Sequence, residues 1–362
     1  MSGIFPKDSK LPSEKEFCTE YEVSAITVKK AMDLLVDEEL VRRVPGKGTY
    51  VIDNAGAEKV AQREEEVKEA DRYEKPEVEP KDKKRKLIGI VLEHVASPFG
   101  LDMLYQLDYE AEKAGYKLCI RFSYGNREKE TDEIEHLMAL NVEGIIIMPC
   151  HGSHYNNAIL KLIVDDFPVI LIDKRMTGIS VSTVSTDGKN AVRLLVKHLY
   201  ERGCRNIGLI TLDTSDTTSL IDRREGYYCG LEEYNLPLAE ECVLKYGDTN
   251  FVDKKTEQID ADNIRQYFEK TRGRLDGVIC TEYGMMSSVV KAAKALGIRI
   301  GSDLKICCID EDYQAADGYY FTHMKQDERE IAKLALKLLI QGGNQPAIDY
   351  VVPAIFRQGR TT

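Results

Sequence analysis

Leu87-Ile88-Gly89-Ile90-Val91-Leu92, then Leu104, Leu107, Ala111 and Ala114 at steps of three and four, then Lys117-Leu118-Cys119-Ile120-Arg121-Phe122: this stretch decides the fold. An unbroken apolar run suits a strand buried on both faces, and the three-four spacing suits a helix with one apolar side. Strand, helix and strand in succession make a βαβ unit, whose two strands lie parallel in one sheet. The alternation continues, with strand-like runs at 144–148, 168–172, 206–211, 277–280 and 305–309. Residues 87–362 are too many for one such sheet with a tight core. The expectation is therefore an α/β protein in which two similar lobes, each a parallel sheet flanked by helices, meet near Asp187-Gly188. Lobe 1 is expected at about 87–187 plus 320–343, and lobe 2 at about 188–316 plus 346–358.

Upstream the texture changes twice. Residues 54–86 hold Arg63-Glu64-Glu65-Glu66, Pro76, Pro80 and Lys81-Asp82-Lys83-Lys84-Arg85-Lys86 with hardly an apolar residue, which reads as a charged linker with some helical tendency at 57–72. Residues 1–53 read as two helices and a hairpin. Ser13-Glu14-Lys15-Glu16 is a capping box that starts the first helix. After a turn at Glu22-Val23, Ser24 caps a second, which carries Val28, Ala31, Met32 and Leu35 on one face. Lys29 and Lys30 lie outside that stripe, so the N-terminal half of this helix is basic and exposed. Arg42 to Val51 then form a β-ribbon whose turn, Pro45-Gly46-Lys47-Gly48, lets the backbone approach a phosphate. Two short helices joined by a tight turn and followed by a ribbon are the layout of a winged helix-turn-helix.

Composition excludes other classes. The chain of 362 residues is 43% hydrophobic and 31% charged, and no apolar run approaches a membrane span. The first residues lack a signal-peptide pattern, and nine scattered cysteines suit a reducing compartment, so a cytoplasmic protein without membrane contact is expected. Cys150-His151-Gly152-Ser153-His154 is the nearest thing to a metal cluster and still lacks ligands; no metal and no cofactor are expected. No phosphate-binding glycine loop and no nucleophile-base pair point to an enzyme. The net charge of −11 does not oppose DNA binding, because affinity depends on where the cations sit.

The order Leu11-Pro12-Ser13-Glu14-Lys15-Glu16, Val23 to Ala31 and Gly46 to Val51 closely resembles the GntR-type winged helix. That resemblance implies DNA contacts from Lys15, Ser24, Thr27, Lys29 and Lys30, and from Gly46 and Lys47 at the wing tip. Two features depart from it. Ala25 stands where the family usually has an arginine, and the chain starts where the family's first helix is expected to end, which would uncover part of Phe17, Leu34 and Leu35.

From Leu87 onward the chain resembles the effector domain of LacI/GalR-type repressors. The markers are Ile88-Gly89-Ile90-Val91, Ser97-Pro98-Phe99, Leu171-Ile172-Asp173-Lys174-Arg175, Thr186-Asp187-Gly188, Arg223-Arg224-Glu225-Gly226-Tyr227, Ile309-Asp310 and residues 321–326. A GntR-type head on such a domain is similar to the arabinose repressors. Ligands of open parallel sheets bind beyond the carboxyl ends of the strands, where Asp173 and Asp310 stand and Phe99 follows closely. Carboxylates accept from hydroxyls, a guanidinium donates to two oxygens and an aromatic ring covers a C–H face, so Asp173, Arg223, Asp310 and Phe99 suit a small sugar. Their bland alternatives are a structural Asp173–Arg223 ion pair and a core Phe99, while Asp187 reads as a helix N-cap. Ser97, Lys174 and Gln326 match further contact positions of the family. Glu282 stands where relatives often have asparagine and Lys174 where they often have arginine, so the particular sugar does not carry over. The resemblance implies a repressor, acting as a homodimer on operator DNA, whose grip a small sugar controls. The alternative is a truncated paralogue that binds ligand and dimerises without touching DNA.

Overall fold

The computed structural model describes residues 8–21, 24–37, 40–52, 86–152, 156–213, 217–246, 254–310, 318, 320–341 and 346–362. The turn at 22–23, the linker at 54–85 with its helical tendency, and Ser153 and His154 lie outside these residues. The chain forms two compact units, Met1–Lys84 and Arg85–Thr362.

In the first unit the helices Glu14–Glu20 and Ala25–Asp37 precede an antiparallel ribbon of β1, Val41–Val44, and β2, Gly48–Val51. The capping box forms: the Ser13 N–H donates to Glu16 Oε2 at 2.7 Å and the Glu16 N–H to Ser13 Oγ at 3.3 Å. Ser24 caps the second helix, accepting from the Thr27 N–H at 3.2 Å. The wing turns at Pro45-Gly46, with the Lys47 N–H donating to the Val44 carbonyl at 3.0 Å and Gly46 at φ 73°, the type II geometry that favours glycine. Residues 8–11 run along the free edge of β2, unforeseen from sequence, with the Leu11 N–H on the Thr49 carbonyl at 2.9 Å. Leu11, Val28, Met32 and Val41 form the core, with Phe17 and Leu35 packed against them. Ala31, expected on the apolar face, is exposed: the stripe is narrower and runs through Val28, Met32 and Val36.

The second unit holds two six-stranded sheets. One contains β3 (Lys86–Leu92), β4 (Tyr116–Phe122), β5 (Gly144–Ile147), β6 (Val169–Ile172), β7 (Thr183–Thr186) and β13 (Asp349–Val352), in the order β13-β7-β6-β5-β3-β4 and parallel throughout. The helices Leu101–Lys113 and Glu328–Gln341 cover one face, Arg127–Ala139 and Asn157–Val164 the other. The other sheet contains β8 (Ile207–Leu212), β9 (Val243–Tyr246), β10 (Gly277–Cys280), β11 (Lys305–Ile309), β12 (Thr322–Lys325) and β14 (Ile355–Arg357), in the order β14-β12-β11-β10-β8-β9, with only β14 antiparallel. The helices Gly188–Glu201 and Thr218–Glu233 cover one face, Lys254–Lys270 and Met286–Ala295 the other. Gly226 permits the closest helix contact, since a Cβ there would run into the Lys189 carbonyl.

All seven anticipated strands exist, shifted by a residue or two at some ends. The lobe assignment of the C-terminal segments needs correction. Within 320–343, β12 belongs to the sheet of lobe 2 and only the helix Glu328–Gln341 packs on lobe 1. Within 346–358, β13 belongs to lobe 1 and β14 to lobe 2. The chain thus crosses between lobes three times: at Asp187, at 326–327 and at 353–354. Asp187 is the helix N-cap expected of it, accepting from the Asn190 N–H at 2.9 Å.

Candidate functional site

Parallel strands of both lobes end at one cleft, and the fold builds the same device on each side. Asp173 follows β6 and Asp310 follows β11; both adopt left-handed backbone, φ 67° and 61°. Asp tolerates this conformation better than most residues. Each N–H still bonds the neighbouring strand at 3.0 Å, Asp173 to Val184 and Asp310 to Met324. The left-handed residue ends each strand while the ladder continues through its N–H.

In lobe 2, Asp310 is buried; its Oδ1 accepts from the Gln326 N–H at 3.0 Å and its Oδ2 from Gln326 Nε2 at 2.7 Å. Burial outweighs these bonds and pushes its pKa up to about 6. Thr186 of lobe 1 donates to Gln326 Oε1 at 2.7 Å, so Gln326 links the lobes at their second crossover. Arg223 is also buried; its Nη1 donates to the Thr281 carbonyl at 2.9 Å and to Glu282 Oε1 at 2.5 Å. Its ionic partner is Glu282, and the alternative Asp173–Arg223 pair does not form.

In lobe 1, Asp173 stands 3.7 Å from the Lys174 ammonium. Lys174 is buried and bonded to Glu93 and, at 2.9 Å, to the Pro149 carbonyl. It is therefore anchored in the wall, not a mobile donor. Phe99 packs half-buried against the core of lobe 1, in a turn closed by paired Ala96 and Phe99 backbone groups. Ser97 in the same turn is exposed.

Several residues at the cleft escaped the sequence reading. Glu93 follows β3 as Asp173 follows β6, so the strand-end rule had the signal for it. His151 Nε2 lies 3.3 Å from Glu93, and its Nδ1 lies 3.0 Å from the Thr217 hydroxyl of lobe 2. Burial holds the imidazole pKa down at about 2, so the ring is neutral. Nε2–H then donates to Glu93, and Nδ1 accepts from Thr217, whose oxygen accepts from the Gly152 N–H at 3.3 Å. Nearby, the Arg175 N–H donates to Thr218 Oγ1 at 2.9 Å and the Arg175 guanidinium to Asp222 at 2.8 Å. On another edge Lys325 meets Asp102 at 3.2 Å. Lobe-to-lobe bonds thus bound the cleft away from its crossovers. A cavity of about 260 Å³ opens beside them, between Arg127, Cys150, Asn156, Arg175 and Thr218; of the sequence candidates only Lys174 lines it.

Glu328, at the start of its helix, accepts from the Gly100 N–H at 2.7 Å and the Met103 N–H at 3.1 Å. It caps the helix Leu101–Lys113, whose own N-cap, Gly100, has no side chain. Burial pushes the Glu328 pKa up to about 7. The Cys150 thiol is pushed up to about 12 by burial and donates to Ser123, which does not suit it to bind metal as a thiolate.

In the smaller unit Lys15, Ser24, Thr27, Lys29, Lys30, Gly46 and Lys47 are all exposed. Ser24 and Thr27 share a hydroxyl bond of 2.8 Å. Arg43 is engaged within the unit, donating to Asp33 at 2.6 Å and Glu14 at 3.4 Å.

Doubly wound sheets facing a polar cleft, preceded in the chain by a helix-turn-helix and wing, define a class of two-part protein. Residues 1–51 match the gntR family of bacterial regulatory proteins. Residues 85–260 match the periplasmic binding proteins and sugar binding domain of the LacI family, and residues 196–362 match the periplasmic binding protein-like domain. The chain therefore joins a GntR-type N-terminal domain to a LacI-type, periplasmic-binding-protein-like domain. Its relatives include the arabinose metabolism transcriptional repressor of Geobacillus stearothermophilus, 22% identical over 99% of this chain and 91% of that protein. The sucrose operon repressor of Streptococcus mutans is 25% identical over 77% of this chain and 82% of that protein. Among solved structures, a periplasmic binding protein/LacI transcriptional regulator from Alkaliphilus metalliredigens, complexed with D-xylulofuranose, superposes with a TM-score of 0.61 at 22% identity, covering 76% of this chain and 99% of that one.

Proposed function

We propose that the protein is a cytoplasmic transcriptional repressor whose hold on operator DNA is controlled by a small sugar. The observation that carries the reading is the cleft: Asp173, Arg223, Glu282, Asp310 and Gln326 gather at or just beyond strand ends of two lobes tied by three crossovers. Carboxylates, a guanidinium and an amide together offer acceptors and donors for sugar hydroxyls, and Phe99, in the turn after β3, would supply a ring for a C–H face. The match to repressors that regulate sugar metabolism agrees with this chemistry. Among the described residues no helix is long and apolar enough to cross a membrane.

Control follows from linkage. A ligand held by residues of both lobes favours the closed arrangement, and its effect on DNA is limited by its differential affinity for the two states. Two heads reach two half-sites if the chain is a homodimer. The helix Leu101–Lys113 supports one: Leu101, Tyr105 and Tyr109, at steps of four, are 40%, 70% and 59% exposed, a stripe suited to a second copy. On the head, Lys15, Ser24, Thr27, Lys29 and Lys30 and the wing tip at Gly46-Lys47 supply the DNA contacts.

A mobility shift with DNA from sugar-utilisation promoters, run with and without a panel of monosaccharides, tests this reading. A retarded complex that one sugar dissolves or tightens is expected. Sugar binding without any DNA complex would instead support a ligand-binding paralogue that has left DNA. Neither sugar nor DNA binding would end the proposal.

A further inference from the structure

The charges around the cleft do not balance, and the imbalance selects among sugars. At the strand ends stand four carboxylates, Glu93, Asp173, Glu282 and Asp310, and two permanent cations, Lys174 and Arg223. Lys174 is tied to Glu93, and Arg223 to Glu282. At the margins Arg175 is matched by Asp222, and Lys325 shares Asp102 with Arg329, whose side chain is exposed to solvent. At these strand ends two cations are shared among four carboxylates, for Lys174 also stands 3.7 Å from Asp173; Arg127, in the adjoining cavity, donates to the His151 carbonyl.

Glu282 is the decisive member. Arg223 is the buried guanidinium to which a phosphate or carboxylate would turn, since its fork fits such groups. Here Glu282 occupies that place, and its side chain, 34% exposed, still faces the water of the cleft. An anionic ligand would have to displace the Glu282 carboxylate and then lie beside it, Asp173 and Asp310. Like charges within a few ångströms in a partly desolvated cleft repel strongly. A hydroxyl meets no such conflict, because it donates to a carboxylate that Arg223 already orients. An ammonium group gains from the same field. Burial pushes the Glu282 carboxyl's pKa up, and Arg223, His94 and Lys174 oppose the rise.

We propose that Glu282 makes the cleft a charge filter that admits neutral and amine-bearing sugars and rejects phosphorylated or carboxylated ones. This rests on the sugar-effector reading above and adds to it the charge class of the effector.

The test is calorimetric titration of the full chain with glucose, galactose, arabinose, xylose and ribose, followed by matched derivatives. For a hexose these are the 2-amino sugar, the 6-phosphate and the aldonic acid. Wild-type protein should bind each anionic derivative at least tenfold more weakly than its neutral parent, and the amino sugar as tightly as the parent or more so. Glu282→Gln should narrow the anion penalty about tenfold and weaken the amino sugar, whereas Glu282→Asp should restore the wild-type ranking. An anionic sugar that binds wild type as tightly as its parent overturns the filter and leaves the sugar-effector reading intact. So does an unchanged ranking in a folded Glu282→Gln variant. Absence of binding by every sugar, whatever its charge, overturns both.

Discussion

Asp173 and Asp310 occupy equivalent places in the two lobes, share a left-handed backbone and yet live differently. Asp310 is buried, with both oxygens met by Gln326 of the crossover strap. The Asp173 side chain is 12% exposed, and the cation beside it, at 3.7 Å, is committed to Glu93. One strand end also acts as a strut that holds the strap between lobes; the other has kept its acceptors for whatever enters the cleft. The comparison teaches that position after a strand marks a residue for the cleft, while its hydrogen-bond partners decide how much of it is spent on holding the walls.

The largest effect should separate the two. Asp310→Ala leaves a buried N–H and a buried amide of Gln326 without their acceptor, at about 1–3 kcal/mol each. Thermal unfolding should show a drop of about 6 °C or more. Asp173→Ala should lose about 1 kcal/mol for alanine in left-handed backbone, a loss that Asp310→Ala shares, and should weaken sugar binding about tenfold or more. Equal losses of stability in the two variants would break the comparison, and so would undiminished sugar affinity in Asp173→Ala.

The next effect concerns pH and sharpens the idea of a strut. Glu328 and Asp310 both carry pKa values raised by burial, to about 7 and about 6. A carboxyl whose folded pKa lies above its unfolded value binds protons more tightly in the native state. Its contribution therefore strengthens as pH falls through the folded pKa and weakens as pH rises. Between pH 8 and pH 6 the Glu328 contribution to unfolding free energy should rise by about 1.4 kcal/mol per pH unit at most. Denaturant titrations across that range should show the rise in wild type and a flatter profile in Glu328→Gln. An identical slope in the variant would remove Glu328 from the account.

These residues also show how far a sequence reaches. The seven anticipated strands were legible because each is an apolar run between turn signals. The five that were missed are short or polar: β7 is Thr-Val-Ser-Thr, buried through its sheet neighbours, and β13 and β14 lie at sheet edges. The lobe boundaries went astray at the C-terminus because alternate strands there join different sheets, which no local pattern records. At the cleft the residue types were legible and their pairings were not. Arg223 turns to Glu282, Lys174 turns inward to Glu93, and the inter-lobe bonds of His151 and Arg175 depend on contacts 43 to 66 residues apart in sequence.

The smallest effect carries the same distinction into the head. Arg43 and Lys29 are both exposed cations, but Arg43 bonds Asp33 and Glu14 and so ties the ribbon to both helices. Lys29 projects from the basic half of the second helix, the half expected to enter the groove. Arg43→Ala should cost about 0.5–1 kcal/mol of stability, the ordinary worth of exposed pairs, and leave the salt dependence of DNA binding nearly unchanged. Lys29→Ala should leave stability within about 0.5 kcal/mol and reduce the slope of log affinity against log salt by about one, the loss of a single phosphate contact. Binding curves at several salt concentrations read the slope directly. If Arg43→Ala lowered the slope as much as Lys29→Ala, intramolecular pairing would not distinguish strut from reader on the head, and the division drawn from the two aspartates would hold only inside the cleft.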